Sequence, residues 1–207
     1  MHVPEFLAGA ARFPEYVAEH RELFDQLAQD QNPQVLFITC SDSRIDPDLI
    51  TSSQPGDLFV ARTIANVVPP FGSGAIGVGA AIEYAVLHLN VEHLVVCGHT
   101  DCGGIHALGT HIDLSREPHL ARWIDYARPA KTKVDASGLP QDARHLSMVR
   151  ENVLLQLENL HSYDPVRHGE RNGTLVLHGW VYYVDTGQVE MYDPVQDTWS
   201  LLTLDGD

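Results

Sequence analysis

One stretch of the chain decides its fold, Val35-Leu36-Phe37-Ile38-Thr39-Cys40-Ser41-Asp42-Ser43-Arg44. It begins as a short apolar run after Pro33, which predicts a buried strand, and it ends in polar and reactive side chains. A second apolar run, Leu94-Val95-Val96-Cys97-Gly98, leads into His99-Thr100-Asp101-Cys102. Both polar clusters therefore follow the carboxyl end of a strand. In an open parallel α/β sheet, that edge is where sites are built.

The segments around these strands predict an α/β fold with a mostly parallel central sheet flanked by helices. A third strand is predicted at Leu58-Phe59-Val60-Ala61. The stretch from Gly74 to Leu89 is rich in glycine and alanine, which predicts a helix packed closely against the sheet. Near the end of the chain, strand-like residues 174–184 turn at Asp185-Thr186-Gly187 into residues 188–192, which predicts an antiparallel hairpin.

Helices are predicted near both ends of one domain that covers residues 1–207. An N-terminal helical arm covers about residues 5–30, and its helix runs from about Arg12 to Gln29 with Pro14 in the first turn. The polar stretch from Pro129 to Gln141 predicts a surface loop. After it, Asp142 is a candidate N-cap for a helix with apolar residues at a spacing of three to four, namely Leu146, Val149, Val153, Leu157 and Leu160.

Composition excludes several classes of function. The chain has 207 residues, 44% of them hydrophobic, and a formal charge of −15, so nucleic acid and anionic membranes are disfavoured as partners. The sequence has no run of about 18 apolar residues, so no membrane span is predicted. The start of the sequence lacks the pattern of a secretory signal, and three cysteines are too few for a disulfide framework. We therefore expect a cytoplasmic protein with reduced thiols.

The two clusters together contain the ligands of a metal site. Cys40, His99 and Cys102 offer two thiolates and an imidazole, a soft set suited to zinc. Three protein ligands with Asp42 and Arg44 close by predict a catalytic site with an open fourth position. A structural site more often closes with a fourth Cys or His. A purely structural zinc protein remains an alternative, whereas a phosphate-binding cysteine loop needs five residues before its arginine and only three intervene here.

These residues carry a resemblance to a known family. The motif Cys40-x-Asp42-x-Arg44, followed by His99-x-x-Cys102-Gly103-Gly104, resembles the β-class carbonic anhydrases. Residues 54–60 and 79–86 look like that family's linking segments. Residues 177–182 are similar to the ending of bacterial members associated with cyanate degradation. The resemblance covers about residues 5–200.

The resemblance implies an activity and a division of roles. The activity is zinc-dependent, reversible hydration of carbon dioxide to bicarbonate and a proton by attack of zinc-bound hydroxide, with one Zn²⁺ per subunit. Cys40, His99 and Cys102 would bind the metal. Asp42 would accept the hydrogen bond of the attacking oxygen, and Arg44 would hold Asp42 off the metal.

The resemblance also implies the substrate pocket of the plant-type subgroup. Gln31, Phe59 and Tyr84 match the residues that line it, Ile64 adds an apolar wall, and Gly103 offers a backbone N–H. Several pocket residues come from a partner subunit in the family, so a homodimer or a higher homo-oligomer is implied, with the N-terminal helix packed on the partner. Thr63 stands where most relatives have Asn, which puts a loop hydrogen bond in question.

An alternative reaction uses the same scaffold. Relatives hydrolyse carbon disulfide or carbonyl sulfide, which are linear like carbon dioxide and need the same metal ligands. The chain has no long added segment that would build a tunnel to the pocket, which favours carbon dioxide. His106 is a weaker candidate for a proton-shuttle role.

Overall fold

The computed structural model describes residues 3–110 and 112–203. They form two compact units, divided between Asn32 and Pro33. The first unit contains helix α1 (Val3–Glu19) and helix α2 (Arg21–Leu27). The prediction of one helix from Arg12 to Gln29 is wrong, because the backbone leaves helical geometry at His20 (φ −114°, ψ 38°). Pro14 lies inside α1 rather than in a first turn.

The second unit is built on one six-stranded sheet with the strand order β2-β1-β3-β4-β5-β6. The first four strands in this order pair in parallel, and the last two add antiparallel pairs at one side. Both the mostly parallel sheet and the C-terminal hairpin are as predicted. The strands are β1 (Val35–Cys40), β2 (Leu58–Thr63), β3 (His93–His99), β4 (Val176–Tyr182), β5 (Val189–Asp193) and β6 (Thr198–Leu201).

Helices and two 3₁₀ turns connect the strands. They are α3 (Pro47–Thr51), a 3₁₀ turn (Ile64–Asn66), α4 (Ile76–Leu87), α5 (Gly103–Gly109), α6 (Pro118–Ile124), a 3₁₀ turn (Asp125–Ala127), α7 (Arg128–Ala136), α8 (Gln141–Leu160) and α9 (Asp164–Arg171). Within the described residues, no helix is long and apolar enough to cross a membrane.

Two predictions for the region before α8 are wrong. The predicted surface loop from Pro129 to Gln141 contains most of α7, because Pro129 fits the first turn of a helix and Ala130 and Val134 are buried. The N-cap of α8 is Pro140, so Asp142 lies in the first turn of the helix instead of capping it.

The parallel register brings the ends of β1 and β3 to one edge of the sheet. Cys40 pairs with Thr63 of β2, and Thr39 pairs with Cys97 of β3. Since Cys40 and His99 are the last residues of their strands, their side chains emerge at the same edge. The predicted meeting of the two clusters is therefore confirmed.

Helix α8 packs closely against the end of β3, where the strand has a glycine, Gly98. A Cβ built on Gly98 would lie 2.9 Å from Val153 Cγ2 and 3.1 Å from Val149 Cγ1, both on α8. Gly98 precedes the candidate ligand His99 in β3, so this close approach fixes the end of the strand against the helix. Any side chain at this position must push two buried valines aside.

We expect Gly98→Ala to destabilise the protein by about 1–3 kcal/mol, the usual effect of overpacking a core. Urea unfolding measures the change. Gly77→Ala in α4 is the control, because its new Cβ would meet nothing within 4 Å and alanine is the better helix former. A Gly98→Ala protein as stable as the wild type would contradict the close packing.

Candidate metal centre

Three buried side chains converge beyond the ends of β1 and β3. The candidate ligand atoms of Cys40, His99 and Cys102 all lie within 4.8 Å of one another. The two Sγ atoms are 4.0 Å apart. Two thiolates bound at 2.3 Å to a tetrahedral zinc ion would lie about 3.8 Å apart, so the cluster is close to the spacing that zinc needs.

The local backbone explains how Cys102 reaches the two strand ends. Asp101 adopts a left-handed conformation with φ of 57°, and this turns the chain sharply after β3. Cys102 then stands at the N-cap position of α5, with an extended backbone. The tight turn therefore returns the second thiol toward the edge that carries Cys40 and His99.

His99 presents one ring nitrogen to the cluster. Its Nδ1 lies 2.8 Å from the carbonyl oxygen of Thr100, to which it donates, so Nε2 carries the lone pair. Nε2 is buried, and the described residues offer it no hydrogen-bond partner. A buried polar atom without a partner is unfavourable. A metal ion between the two thiols and this nitrogen would satisfy it, so the residues present fit zinc.

The three cysteines differ in their acidity. The hydrogen bond from Cys102 lowers the pKa of the Cys40 thiol, and the same contact, together with burial, raises the pKa of Cys102. The pair therefore shares a proton that a divalent cation would replace. Burial raises the pKa of Cys97 to about 12, so Cys97 stays a neutral core thiol.

Asp42 and Arg44 form a rigid ion pair beside the cluster. The guanidinium donates from Nε to Oδ1 (2.9 Å) and from a terminal nitrogen to Oδ2 (2.8 Å) of Asp42. This bidentate pair holds the pKa of Asp42 well below its usual range. Asp42 Oδ2 lies 3.9 Å from Nε2 of His99. The carboxylate therefore lies close to the candidate metal position while it is held by the arginine.

Two residues that are not among the predicted site residues support this pair. Asp101 accepts a hydrogen bond from Arg44 through its carboxylate (2.9 Å) and another through its backbone carbonyl (3.1 Å). Arg62 donates to the backbone carbonyls of Cys40 (3.2 Å), Asp42 (2.9 Å) and Ile45. Arg62 pairs with Thr39 in the register of β1 and β2. The sequence signal for this role was a long basic side chain in the strand next to β1, which ends at Cys40.

We expect Arg62→Ala to weaken zinc binding by about 10–100-fold, the usual effect of losing a group that orients metal ligands. The three carbonyl contacts of Arg62 hold the loop that begins at Cys40, and alanine removes all of them. Competition with a chromophoric chelator measures the affinity. Arg116→Ala, at an exposed loop position, is the matched control. Equal zinc affinity in the two variants would show that the Arg62 contacts do not hold the site.

The five predicted pocket residues do not form one group in this chain. A Cβ on Gly104 would lie 3.1 Å from Ile64 Cγ2, so Ile64 lies against the start of α5, where Gly103 is open on its Cβ side. Phe59 and Tyr84 contact each other, with ring centroids 5.8 Å apart. Gln31 belongs to the first unit. The roles given to these residues stay predictions.

Thr63 lies where the family resemblance led us to expect Asn. Its hydroxyl donates to the carbonyl oxygen of Val67 at 3.0 Å. The 3₁₀ turn that contains Ile64 is therefore closed by a hydrogen bond from Thr63 itself. The loop therefore has a side-chain hydrogen bond with threonine at this position.

The chain is similar to known proteins over most of its length. Residues 35–189 match the sequence pattern of the family described as carbonic anhydrase. A carbonic anhydrase of Synechococcus elongatus is 47% identical over 177 residues, which is 84% of this chain and 65% of the relative. The chain thus spans about two thirds of that relative's length.

Solved structures extend the match to the fold. The β-carbonic anhydrase CcaA superposes with a TM-score of 0.92 at 38% identity, over 98% of this chain and 100% of the other. One of two tetrameric β-carbonic anhydrases from Sordaria macrospora matches with a TM-score of 0.76 at 30% identity, over 90% of this chain and 94% of the other. From its motifs, its fold and these matches, the chain belongs to the carbonic anhydrase family, and within that family to the β class.

Proposed function

We propose that this chain is a zinc-dependent carbonic anhydrase that interconverts carbon dioxide and bicarbonate. The observation that carries the proposal is the arrangement at the sheet edge. Two thiols and one unpartnered imidazole nitrogen converge there, and an ionised Asp42 is held beside them by Arg44. A structural zinc site would fill the fourth position with another Cys or His. Among the described residues, no fourth such atom joins the cluster.

Each residue of the centre has a task in this reaction. Cys40, His99 and Cys102 would hold zinc, which when bound acts as a Lewis acid and lowers the pKa of a water molecule from 15.7 to about 7. Asp42 is anionic at neutral pH, so it can only accept a hydrogen bond, which orients the attacking oxygen. Arg44 would keep Asp42 ionised and, by holding both carboxylate oxygens, would prevent Asp42 from binding the metal.

Substrate recognition would combine residues of two subunits. Ile64 lies against Gly104, and Gly103 directly follows Cys102 in the same chain. Phe59 precedes Thr63 by four residues in β2, which is about 13 Å along a strand, and Thr63 is the residue paired with Cys40. Phe59 and its neighbour Tyr84 therefore suit the pocket of a partner subunit, and Gln31 is proposed to join them. We infer a homodimer or a higher homo-oligomer, which the tetrameric relatives support.

The cysteines suit a reducing compartment. Cys40, Cys97 and Cys102 are all free thiols. Zinc binding needs two of them as thiolates, and oxidation of the Cys40–Cys102 pair would remove both sulfur ligands. We therefore propose that the protein works in the cytoplasm.

Stopped-flow hydration of carbon dioxide tests the proposal on protein with measured zinc content. We expect fast hydration with one zinc per chain, loss of the rate after chelation, and recovery when zinc is restored. The rate should rise between about pH 6 and pH 9 as zinc-activated water titrates. Because the pKa of Asp42 is held low, its own titration does not contribute over this range. No hydration by fully zinc-loaded protein would instead favour a structural zinc site.

A further inference from the structure

Among the described residues, two pairs of histidines lie with their rings close together, and neither pair includes a candidate zinc ligand. His106 of α5 and His145 of α8 form one pair, and His93 of β3 and His178 of β4 form the other. In each pair, ring nitrogens of the two residues face each other. These are places outside the zinc centre where nitrogen donors already lie side by side.

The spacing of the first pair fits a shared metal ion. Nδ1 of His106 and Nδ1 of His145 are 3.3 Å apart, and the ring centroids are 5.0 Å apart. Two imidazoles bound to one tetrahedral ion at about 2.0–2.1 Å have nitrogens about 3.3–3.4 Å apart and centroids about 5.2 Å apart. Both separations therefore agree with a chelating pair without movement of the backbone.

The second pair has a different geometry. Nδ1 of His93 and Nε2 of His178 are closer, at 3.1 Å, yet the ring centroids are farther apart, at 5.2 Å. These rings therefore point more directly at each other, as in an N–H···N hydrogen bond. The rings of His106 and His145 are more inclined to the line between their nitrogens, so that both nitrogens face a common point. The nitrogens of His93 and His178 also lie closer together than the separation of about 3.3–3.4 Å in a chelating pair, so this pair serves as the comparison.

The surroundings of the first pair favour a cation. Nδ1 of His145 is the ring nitrogen that faces His106, so it is the atom that would bind the ion. Burial and the neighbouring His106 also lower the pKa of His145, which keeps its ring neutral and able to bind a metal. His106 is exposed, so an ion can reach the pair from solvent.

We propose that His106 and His145 form a second metal site, which takes a divalent transition metal ion of the kind that imidazole prefers, such as Ni²⁺, Cu²⁺ or Zn²⁺. Water fills the remaining coordination positions. Within the described part of the chain, no third Cys, His, Asp or Glu atom is grouped with the two nitrogens. The site therefore binds more weakly than the three-ligand centre at Cys40, His99 and Cys102.

Calorimetric titration with Ni²⁺ tests this site on protein that already carries one zinc per chain. We expect one Ni²⁺ per chain with zinc retained, and at least a tenfold loss of Ni²⁺ affinity in each of His106→Gln and His145→Gln. The double variant His93→Gln/His178→Gln is the matched control and should bind Ni²⁺ like the wild type. Because His106 is exposed, its variant keeps the test valid even when the other variant folds poorly.

Three outcomes would overturn the second site. The wild type binds no Ni²⁺ beyond its zinc, or the His106→Gln protein binds Ni²⁺ as tightly as the wild type, or the affinity is lost in the His93/His178 variant instead. The titration does not measure hydration of carbon dioxide. A failure of the second site is therefore distinguishable from a failure of the proposed function.

Discussion

Cys102→Ser is expected to remove zinc and to abolish the proposed hydration of carbon dioxide, the largest effect among the substitutions proposed here. Cys102 is 1% exposed, and its Sγ lies 4.0 Å from that of Cys40. A serine hydroxyl is a hard donor that stays protonated at neutral pH, so the centre loses one of its two sulfur ligands. Metal analysis after dialysis should fall from one zinc per chain to nearly none. The hydration rate should fall by at least about a thousandfold.

Cys97→Ser is the matched control for this loss. Cys97 is also buried and lies in β3 two residues before His99, but its thiol is not part of the three-residue cluster. The same substitution there should leave the zinc content and the hydration rate close to those of the wild type. Retention of zinc by the Cys102→Ser protein, with an unchanged rate, would contradict the assignment of Cys102 as a ligand.

Asp42→Asn should have the second largest effect, a decrease in kcat of about 10²-fold or more with zinc retained. Asparagine keeps the shape of the side chain but removes the negative charge. Its amide nitrogen would also face the Arg44 guanidinium, so the bidentate pair is lost. Stopped-flow hydration measures kcat, and metal analysis of the same sample confirms the zinc content. Asp42→Ala should give a similar decrease.

Asp46→Asn provides a matched control for the change in charge. Asp46 lies in the same loop, four residues further on, and its carboxylate accepts the N–H of Leu49 at the start of α3. Asparagine serves equally well in that capping position. We expect a normal rate from this variant. A full wild-type rate in Asp42→Asn would exclude the proposed role of Asp42.

The sequence predicted that the candidate ligands converge, because the information for this is local. Each ligand cluster directly follows an apolar run, and two parallel strands necessarily bring their carboxyl ends to one edge. Asp42 and Arg44 are only two residues apart, so their pairing could also be predicted from the sequence. The contacts of Arg62 and Asp101 could not be predicted in this way, because they depend on the register of β2 and on the left-handed turn after Thr100.

The errors in predicting the fold have related causes. The segment that contains α7 is polar, since only Ala130 and Val134 face the core, and its composition indicated a loop. The break at His20 between α1 and α2 follows no glycine or proline signal. Strand β6 was not predicted from the sequence. This strand is short, pairs only with β5 and lacks the long apolar run of a central strand. In each case tertiary contacts decide what the local pattern leaves open.

Oxygen-isotope exchange between labelled bicarbonate and water tests the central claim most directly, because it follows the interconversion of carbon dioxide and bicarbonate at equilibrium. It should be measured by mass spectrometry on protein with one zinc per chain. We predict exchange far faster than the buffer alone, lost in Cys102→Ser and strongly reduced in Asp42→Asn. Exchange at the buffer rate with zinc fully bound would contradict the proposal that this chain is a carbonic anhydrase.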